Sequence, residues 1–228
     1  MDFATISADV ISYTSLTGVE RRTLESGIKH LFSVLAERYK NQSFYGRLVQ
    51  GDYMECAIDT PQYALRIALI LKTYIKSIVF DVSKNNKSRL KYFSEHGIRL
   101  AVAVAPLDKL DSKNGIIDGE AIYLSGRAIK NYSTSDKQKI VIKNTMFFCS
   151  PNSKIQQQFD VVFSLLDTIL SKCTSKQSEV VYYKLLDLSE KDIAAKLSKY
   201  QSTISQHSTA AGWLSIEKAV NHFENTFQ

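Results

Sequence analysis

The sequence predicts an α+β fold, a layered β-sheet with helices packed on it, followed by an all-helical C-terminal segment. Three observations predict it. Strand-like apolar runs and three- and four-residue helical patterns alternate through the first part of the chain. The helical stretches lie between the strands, so they act as crossovers within one sheet. From Asn152 onward the pattern is helical, with no strand-like run. The change sets a boundary near Ser150-Pro151 and divides the chain into residues 1–150 and 151–228.

Phe3 to Ala8 reads as a strand that ends on Asp9. A segment rich in Ser and Thr, Val10 to Thr17, leads into a helix from Gly18 to Tyr39 whose apolar positions are Leu24, Ile28, Leu31, Phe32, Leu35 and Tyr39. Thr17 with Glu20 three residues on forms a capping box. The runs Ser43 to Gln50 and Tyr53 to Ile58 flank Gly51-Asp52 and predict a hairpin. Thr60-Pro61 opens the next helix, with Thr as cap and Pro at the first helical position. Its apolar face is Ala64, Ile67, Ala68, Leu71, Tyr74, Ile75 and Ile78. The basic stretch Ser83 to Lys91 reads as an exposed loop, and Gly97 to Ala105 as a central strand closed by Pro106. A polar loop from Leu107 to Asp118, a helix from Gly119 to about Asn131 and a short strand, Lys139 to Ile142, complete the first part. Phe159, Val162, Phe163, Leu166, Ile169 and Leu170 mark one later helix, and Val180, Val181, Tyr183, Lys184 and Leu188 another.

Bulk properties narrow the function classes. An apolar fraction of 44% over 228 residues builds a core without staples. The formal charge of +6 leans toward anionic partners, and equally suits a well-solvated surface. The cysteines, Cys56, Cys149 and Cys173, are odd in number and widely spaced, which argues against a disulfide framework and a zinc site and for a reducing compartment. Arg66, Lys72 and Lys76 interrupt the most apolar helix, so no membrane span is expected. The N-terminal residues enter a strand without the charged and apolar regions of a secretory signal. The expectation is a cytoplasmic protein with no membrane partner. The four histidines, His30, His96, His207 and His222, form no ligand-spaced set, and no P-loop, nucleophile elbow or Gly-rich dinucleotide turn is present.

The C-terminal run Ser189 to Leu197, a break at Ser198-Lys199-Tyr200, and Gln201-Ser202-Thr203-Ile204-Ser205-Gln206-His207 resemble the bacterial helix-turn-helix pattern I-A-x-x-L, turn, Q-S-T-I-S. Ala194 lets two helices approach, and Ile204 packs back on the first of them. Gln201, Ser202, Thr203, Ser205, Gln206 and His207 then form the face that would hydrogen-bond base edges in a DNA major groove. The second helix lacks Arg and Lys up to His207, so phosphate contacts fall to Lys199, with Lys191, Lys196 and Lys218. The competing reading of the same packing is a small helical interaction domain.

The first part resembles the class III nucleotidyl cyclases. The resemblance runs from residue 3 to 142 and rests on four stretches. Ile6 to Ser12 is similar to their first strand, which ends in an acid. Val49 to Met54 is similar to their Gly-Asp hairpin, and Gly97 to Ala103 to the next long strand. Asp118 to Arg127 is similar to the segment in which an Asn precedes an Arg by four residues. The whole arrangement, a cyclase-like domain and then a helix-turn-helix, is more similar still to the SatD-like family. The resemblance implies a ferredoxin-like, cyclase-like sheet. It makes Asp9 and Asp52 ligands of Mg²⁺ or Mn²⁺, with Arg127, Asp118 and Tyr123 facing a nucleotide or other phosphate ligand, and Arg127 catalytic if the protein is an enzyme. Hard carboxylate oxygens suit such an ion, which completes its shell with water and phosphate.

Several positions depart from the pattern. Tyr123 stands where the Asn is expected and Leu48 where active cyclases carry a base-selecting Lys, while Ser12 and Thr14 replace acids after the first strand. Strand alternation points neighbouring Arg47 to the other face. Efficient cyclisation is therefore not expected. Taken without the resemblance, Asp52 serves the turn, Asp9 the strand end and Arg127 the helix surface. The leading expectation is a transcriptional regulator, dimeric, with a degenerate metal-nucleotide sensing domain and a DNA-binding tail. The alternative is a divergent metal-dependent cyclase or phosphoryl-transfer enzyme with a helical interaction tail.

Overall fold

The computed structural model describes residues 2–80, 90–133 and 144–228. Its strands are β1 (Asp2–Val10), β2 (Tyr45–Val49), β3 (Tyr53–Ile58), β4 (Ile98–Pro106), β5 (Lys109–Asp111), β6 (Ile116–Asp118) and β7 (Met146–Cys149). The helices are α1 (Gly18–Arg38), α2 (Ala64–Ser77), α3 (Lys91–His96), α4 (Glu120–Ser133), α5 (Ser153–Lys172), α6 (Ser175–Leu185), α7 (Glu190–Leu197), α8 (Gln201–Ala210) and α9 (Trp213–Thr226). The architecture is α+β, built on a mixed five-stranded sheet in the order β2-β3-β1-β4-β7. β1 runs antiparallel to both β3 and β4, whereas β4 and β7 are parallel. No helix among the described residues is long and apolar enough to cross a membrane.

Alternation along β1 decides what each face of the sheet carries. Ala4, Ile6, Ala8 and Val10 point to one face and join Leu24, Ile28, Leu31 and Leu35 of α1 and the apolar side of α2 in the main core. Thr5 and Ser7 point to the other face, which α4 covers. There the Ser125 hydroxyl lies 3.1 Å from that of Thr5 and 2.9 Å from that of Ser7, so these buried polar groups satisfy one another. Small neighbours, Ala57 and Ala101, keep α4 close to the strands. Arg47 and Leu48 divide between the faces as alternation requires. Leu48 packs on the main core, while Arg47 binds the Glu55 carboxylate and the Gly115 carbonyl.

Local signals hold with two amendments. The α1 capping box is complete: Thr17 N–H donates to Glu20 at 2.7 Å and Glu20 N–H to the Thr17 hydroxyl at 3.3 Å. Thr60, in contrast, caps nothing. Its hydroxyl donates to Asp59, and Pro61 begins a short 3₁₀ turn before α2 starts at Ala64. The polar loop after β4 folds into a small hairpin, β5-β6, with Gly115 at φ +66° near its turn. The expected strand at 139–142 lies outside the described residues, as does most of the basic stretch 83–91. Among the described residues, the run Met146 to Cys149 pairs with β4 on the side away from β1.

The helices after residue 150 do not stand apart from the sheet. Phe148 of β7 meets Phe159 and Phe163 of α5 and Phe223 of α9 at ring separations of 5.3, 5.4 and 5.9 Å. Leu185 of α6 shares the same core. A smaller cluster, Val180, Ile193, Ala194 and Ile204, ties α7 and α8 to α6.

The two lysines that interrupt the apolar pattern of α2 are buried. Lys72 Nζ donates to the Ile98 carbonyl at 2.9 Å, the His96 carbonyl at 3.2 Å and the Thr145 hydroxyl at 2.7 Å, and pairs with Asp167 at 3.6 Å. Lys76 Nζ donates to the Leu170 and Ser171 carbonyls at 2.6 and 2.9 Å, in the last turn of α5, where carbonyls run short of helical partners. Two cations thus bolt α2 to β4, to Thr145 just before β7, and to α5.

Candidate functional site

Asp9 and Asp52 come together because β1 and β3 are neighbours. Asp9 stands opposite Tyr53, and the Val10 N–H donates to the Asp52 carbonyl at 3.0 Å. The hairpin that carries Asp52 turns through two left-handed residues, Gln50 at φ +54° and Gly51 at φ +85°. A side chain on Gly51 would also sit 2.7 Å from the Tyr13 hydroxyl. Tyr13 is itself held by the Glu25 carboxylate, a hydrogen bond that pushes its pKa up to about 12. The guanidinium of Arg21 lies over its ring at 4.9 Å. The loop after β1 and the start of α1 therefore brace the hairpin tip.

The Asp9 carboxyl is pushed above its ordinary pKa. Burial is the largest cause, the nearby Arg99 cation opposes it, and the Asp52 carboxylate adds to it. Asp9 Oδ1 is buried and lacks a hydrogen-bond partner. This is an acid pair with unused oxygen donors, suited to a hard cation. Among the described residues no group of three or more His, Cys, Asp or Glu side chains is placed to hold a metal ion. An ion here would need water or a ligand oxygen to complete its shell.

Arg99 is the member that sequence reasoning missed. It stands directly opposite Asp9 in the β1–β4 register, its Nε 3.8 Å from Asp9 Oδ1. The run Gly97 to Ala105 reads as a central strand, and its single cation gained meaning only once the pairing was fixed.

The remaining expected ligand residues form a separate group. Asp118 ends β6, and the Tyr123 hydroxyl donates to its carboxylate, a bond that raises the Tyr123 pKa. Arg127 lies one helical turn after Tyr123 and is exposed. It senses Tyr123 electrostatically, and no hydrogen bond or ion pair joins it to Asp9 or Asp52 among the described residues. Gly119, at φ +133°, lets the chain turn into α4, since a Cβ there would lie 2.5 Å from the Asp108 nitrogen. A cavity of about 580 Å³ lies elsewhere, walled by Lys76, Phe80, Phe93 and Glu95 among others.

At the C-terminal end α7 is capped by Ser189 and stops at Ser198, which takes the left-handed conformation at φ +51°. Ile204 is fully buried against α6 and α7. Gln201, Ser202, Ser205 and Gln206 form an exposed row along α8, Thr203 and His207 are half-buried, and Lys199 is exposed in the turn.

No protein-family model matches the chain, and no significantly similar curated protein or solved structure was found.

Proposed function

We propose that this protein is a regulator in which a ferredoxin-like, cyclase-like domain binds a divalent cation with a nucleotide or related phosphate ligand, and a helix-turn-helix formed by α7 and α8 binds DNA. The observation that carries the proposal is the coupled acid pair. Asp9 near the end of β1 and Asp52 in the turn leading into the adjacent β3 interact electrostatically, and Asp9 keeps a buried oxygen without a partner. The strand order β2-β3-β1-β4 agrees with a β-α-β-β-α-β chain path.

The residues fit a Mg²⁺ or Mn²⁺ ion. Asp9 and Asp52 would hold it, and the bound ion would neutralise phosphate charge. The chain's own residues restrict the chemistry available beyond binding. Leu48 offers no hydrogen bond to a base. Tyr123 is engaged with Asp118, so it does not replace an amide near a reacting group. Arg127 remains exposed on α4, available to an incoming anion. These features favour binding over turnover. On the DNA side, the exposed row of α8 supplies neutral hydrogen-bonding groups, and Lys191, Lys196 and Lys199 supply the charge.

Titration of Mn²⁺ and nucleoside triphosphates into wild type, Asp9→Ala and Asp52→Ala tests the first half. Binding without turnover, lost in both variants, is the expected result. Turnover abolished by both variants would favour a divergent enzyme instead, and no binding in wild type would sink the metal reading. For the second half, retention of genomic DNA fragments should fall steeply with salt. Absence of salt-sensitive retention would remove the helix-turn-helix claim.

A further inference from the structure

β2 is an open edge of the sheet. Among the described residues it pairs with β3 and with no other strand. All of its residues are part-exposed, whereas most of β3 is buried. Every second residue of such a strand turns its N–H and C=O away from its neighbour, which makes a template for one more strand. Proteins blunt such edges with a proline, a bulge or a charge held over the edge. β2 has no proline, and its register with β3 runs unbroken from Tyr45–Ala57 to Val49–Tyr53. Its one charge, Arg47, is folded back over its own sheet, where it binds the Glu55 carboxylate, with Nε at 2.7 Å, and the Gly115 carbonyl. The edge is left unguarded. A groove of about 340 Å³ runs beside it. Lys29, Ser33 and Ala36 of α1 form one wall and β2 the other, with the Phe32 ring set against Gly46 between them. Tyr45 and Arg47 also border the groove although their side chains serve the opposite face, so the groove follows the open backbone of the strand.

We infer that β2 and the adjoining flank of α1 form a docking site for an extended segment of another protein, apolar at alternate positions and carrying an acid on the α1 side. An unpaired strand beside a helix flank, with an apolar slot between them, holds such a segment by strand addition. Backbone pairing supplies affinity, and the slot takes alternate side chains. The kind of partner follows from charge. Lys29 is exposed on the groove wall and has no hydrogen bond or ion pair among the described residues. The acid further along the same helix, Glu37, is already paired with Lys40 at 3.0 Å. The free charge on this wall is therefore positive, and it suits a carboxylate. A second copy of the chain is the wrong partner. Two β2 edges paired antiparallel would put both α1 helices on the same side of one sheet, their Lys29 flanks facing, and each copy carries a formal charge of +6. The inference uses neither the acid pair nor α8.

The test uses a phage library of short random peptides as probe, selected on the full chain and counter-selected on Ala36→Trp, which fills the groove from an exposed helix position. Circular dichroism and the urea midpoint check that this variant and Lys29→Glu keep the fold. Enriched peptides should carry apolar residues at alternate positions and at least one Asp or Glu. A fluorescent copy of one of them, followed by anisotropy, should bind Lys29→Glu about three- to tenfold more weakly than wild type, the reach of an exposed ion pair turned into a repulsion. Methylating the backbone nitrogens of the peptide at one alternate set of positions should weaken binding about tenfold or more, because the paired carbonyls of β2 lose their donors. Methylating the other set, which faces away from β2, should leave binding nearly unchanged. This asymmetry is the signature of strand addition, and loose adhesion to an apolar groove would not produce it. The inference fails if no peptide is enriched over Ala36→Trp, if both methylated sets behave alike, or if Lys29→Glu binds as wild type does. It also fails if sedimentation shows a wild-type dimer that Ala36→Trp dissociates, since the edge would then be covered by a second copy.

Discussion

The buried Lys72–Asp167 pair offers a demanding test of how this fold is held. In Lys72→Met the side chain keeps much of its length but loses its charge. The His96 and Ile98 carbonyls and the Thr145 hydroxyl lose a shared donor, and Asp167 loses a cation 3.6 Å away. Asp167 stays buried, still accepting from the Thr145 N–H and hydroxyl. Breaking a buried pair from one side costs about 3–5 kcal/mol, a large share of the roughly 5–15 kcal/mol that holds a domain of ordinary stability. Asp167→Asn should cost less, since the amide keeps an oxygen for Thr145 and its neighbours still shield Lys72. The double variant should be less destabilised than the two single costs together by about 1–3 kcal/mol, the usual coupling of contacting residues. Equilibrium urea unfolding of all four proteins, at constant m, gives the cycle. The pH dependence carries a sign. Burial lowers the Lys72 pKa, with Asp167 opposing. Between the lowered value and the ordinary lysine range the unfolded chain therefore binds more protons than the folded one. Stability attributable to Lys72 rises with pH in that window, and Lys72→Met should flatten the rise. Additive single costs and an unchanged pH slope would refute the argument and leave Lys72 as a solvated surface lysine would be.

Other expectations rest on the same reasoning. Burial lowers the Lys76 pKa to about 8, so wild-type stability relative to Lys76→Met should climb from about pH 8 toward the ordinary lysine value, measured as paired unfolding free energies across that range. Ile204→Ala empties the centre of the α6–α7–α8 cluster and should cost about 2–5 kcal/mol, with DNA retention lost at temperatures where the rest of the chain is still folded by circular dichroism. Ser125→Ala removes the hydroxyl shared by Thr5 and Ser7 beneath α4 and should lower stability by about 1–3 kcal/mol, read as a shift in urea midpoint. Gly119→Ala forces a Cβ against the Asp108 backbone and should destabilise by more than Gly115→Ala, whose nearest contact is the Tyr45 hydroxyl at 3.3 Å.

The elements legible in the sequence were those with a strong local pattern. α1 carries five buried apolar residues on one face and a complete capping box. The hairpin around Gly51-Asp52 has polar turn residues between apolar strands, and α7–α8 shows its buried Ile193, Ala194 and Ile204 at helical spacing. Each signal is local, written in residues a few positions apart. β7 escaped because a four-residue apolar strand, Met-Phe-Phe-Cys, has too short a run to show any period. The β5–β6 hairpin escaped for the same reason, with three residues a side.

By itself the sequence determined the α+β class, the course of the main helices, the Asp9 strand end, the Asp52 turn and the neutral polar row of α8. Those depend on backbone propensity and on which side chains recur on one face. Tertiary structure alone decided the rest. It put Arg99 opposite Asp9, joined α5, α6 and α9 to the core of the sheet, and buried the two lysines that interrupt the apolar pattern of α2. A cation in an apolar helix is costly until carbonyls and a carboxylate from distant segments surround it. The reason lies in strand register and in the meeting of segments about 70 to 95 residues apart in the chain, such as Lys72 with Thr145 and Lys76 with Leu170 and Ser171, and no local pattern encodes such meetings.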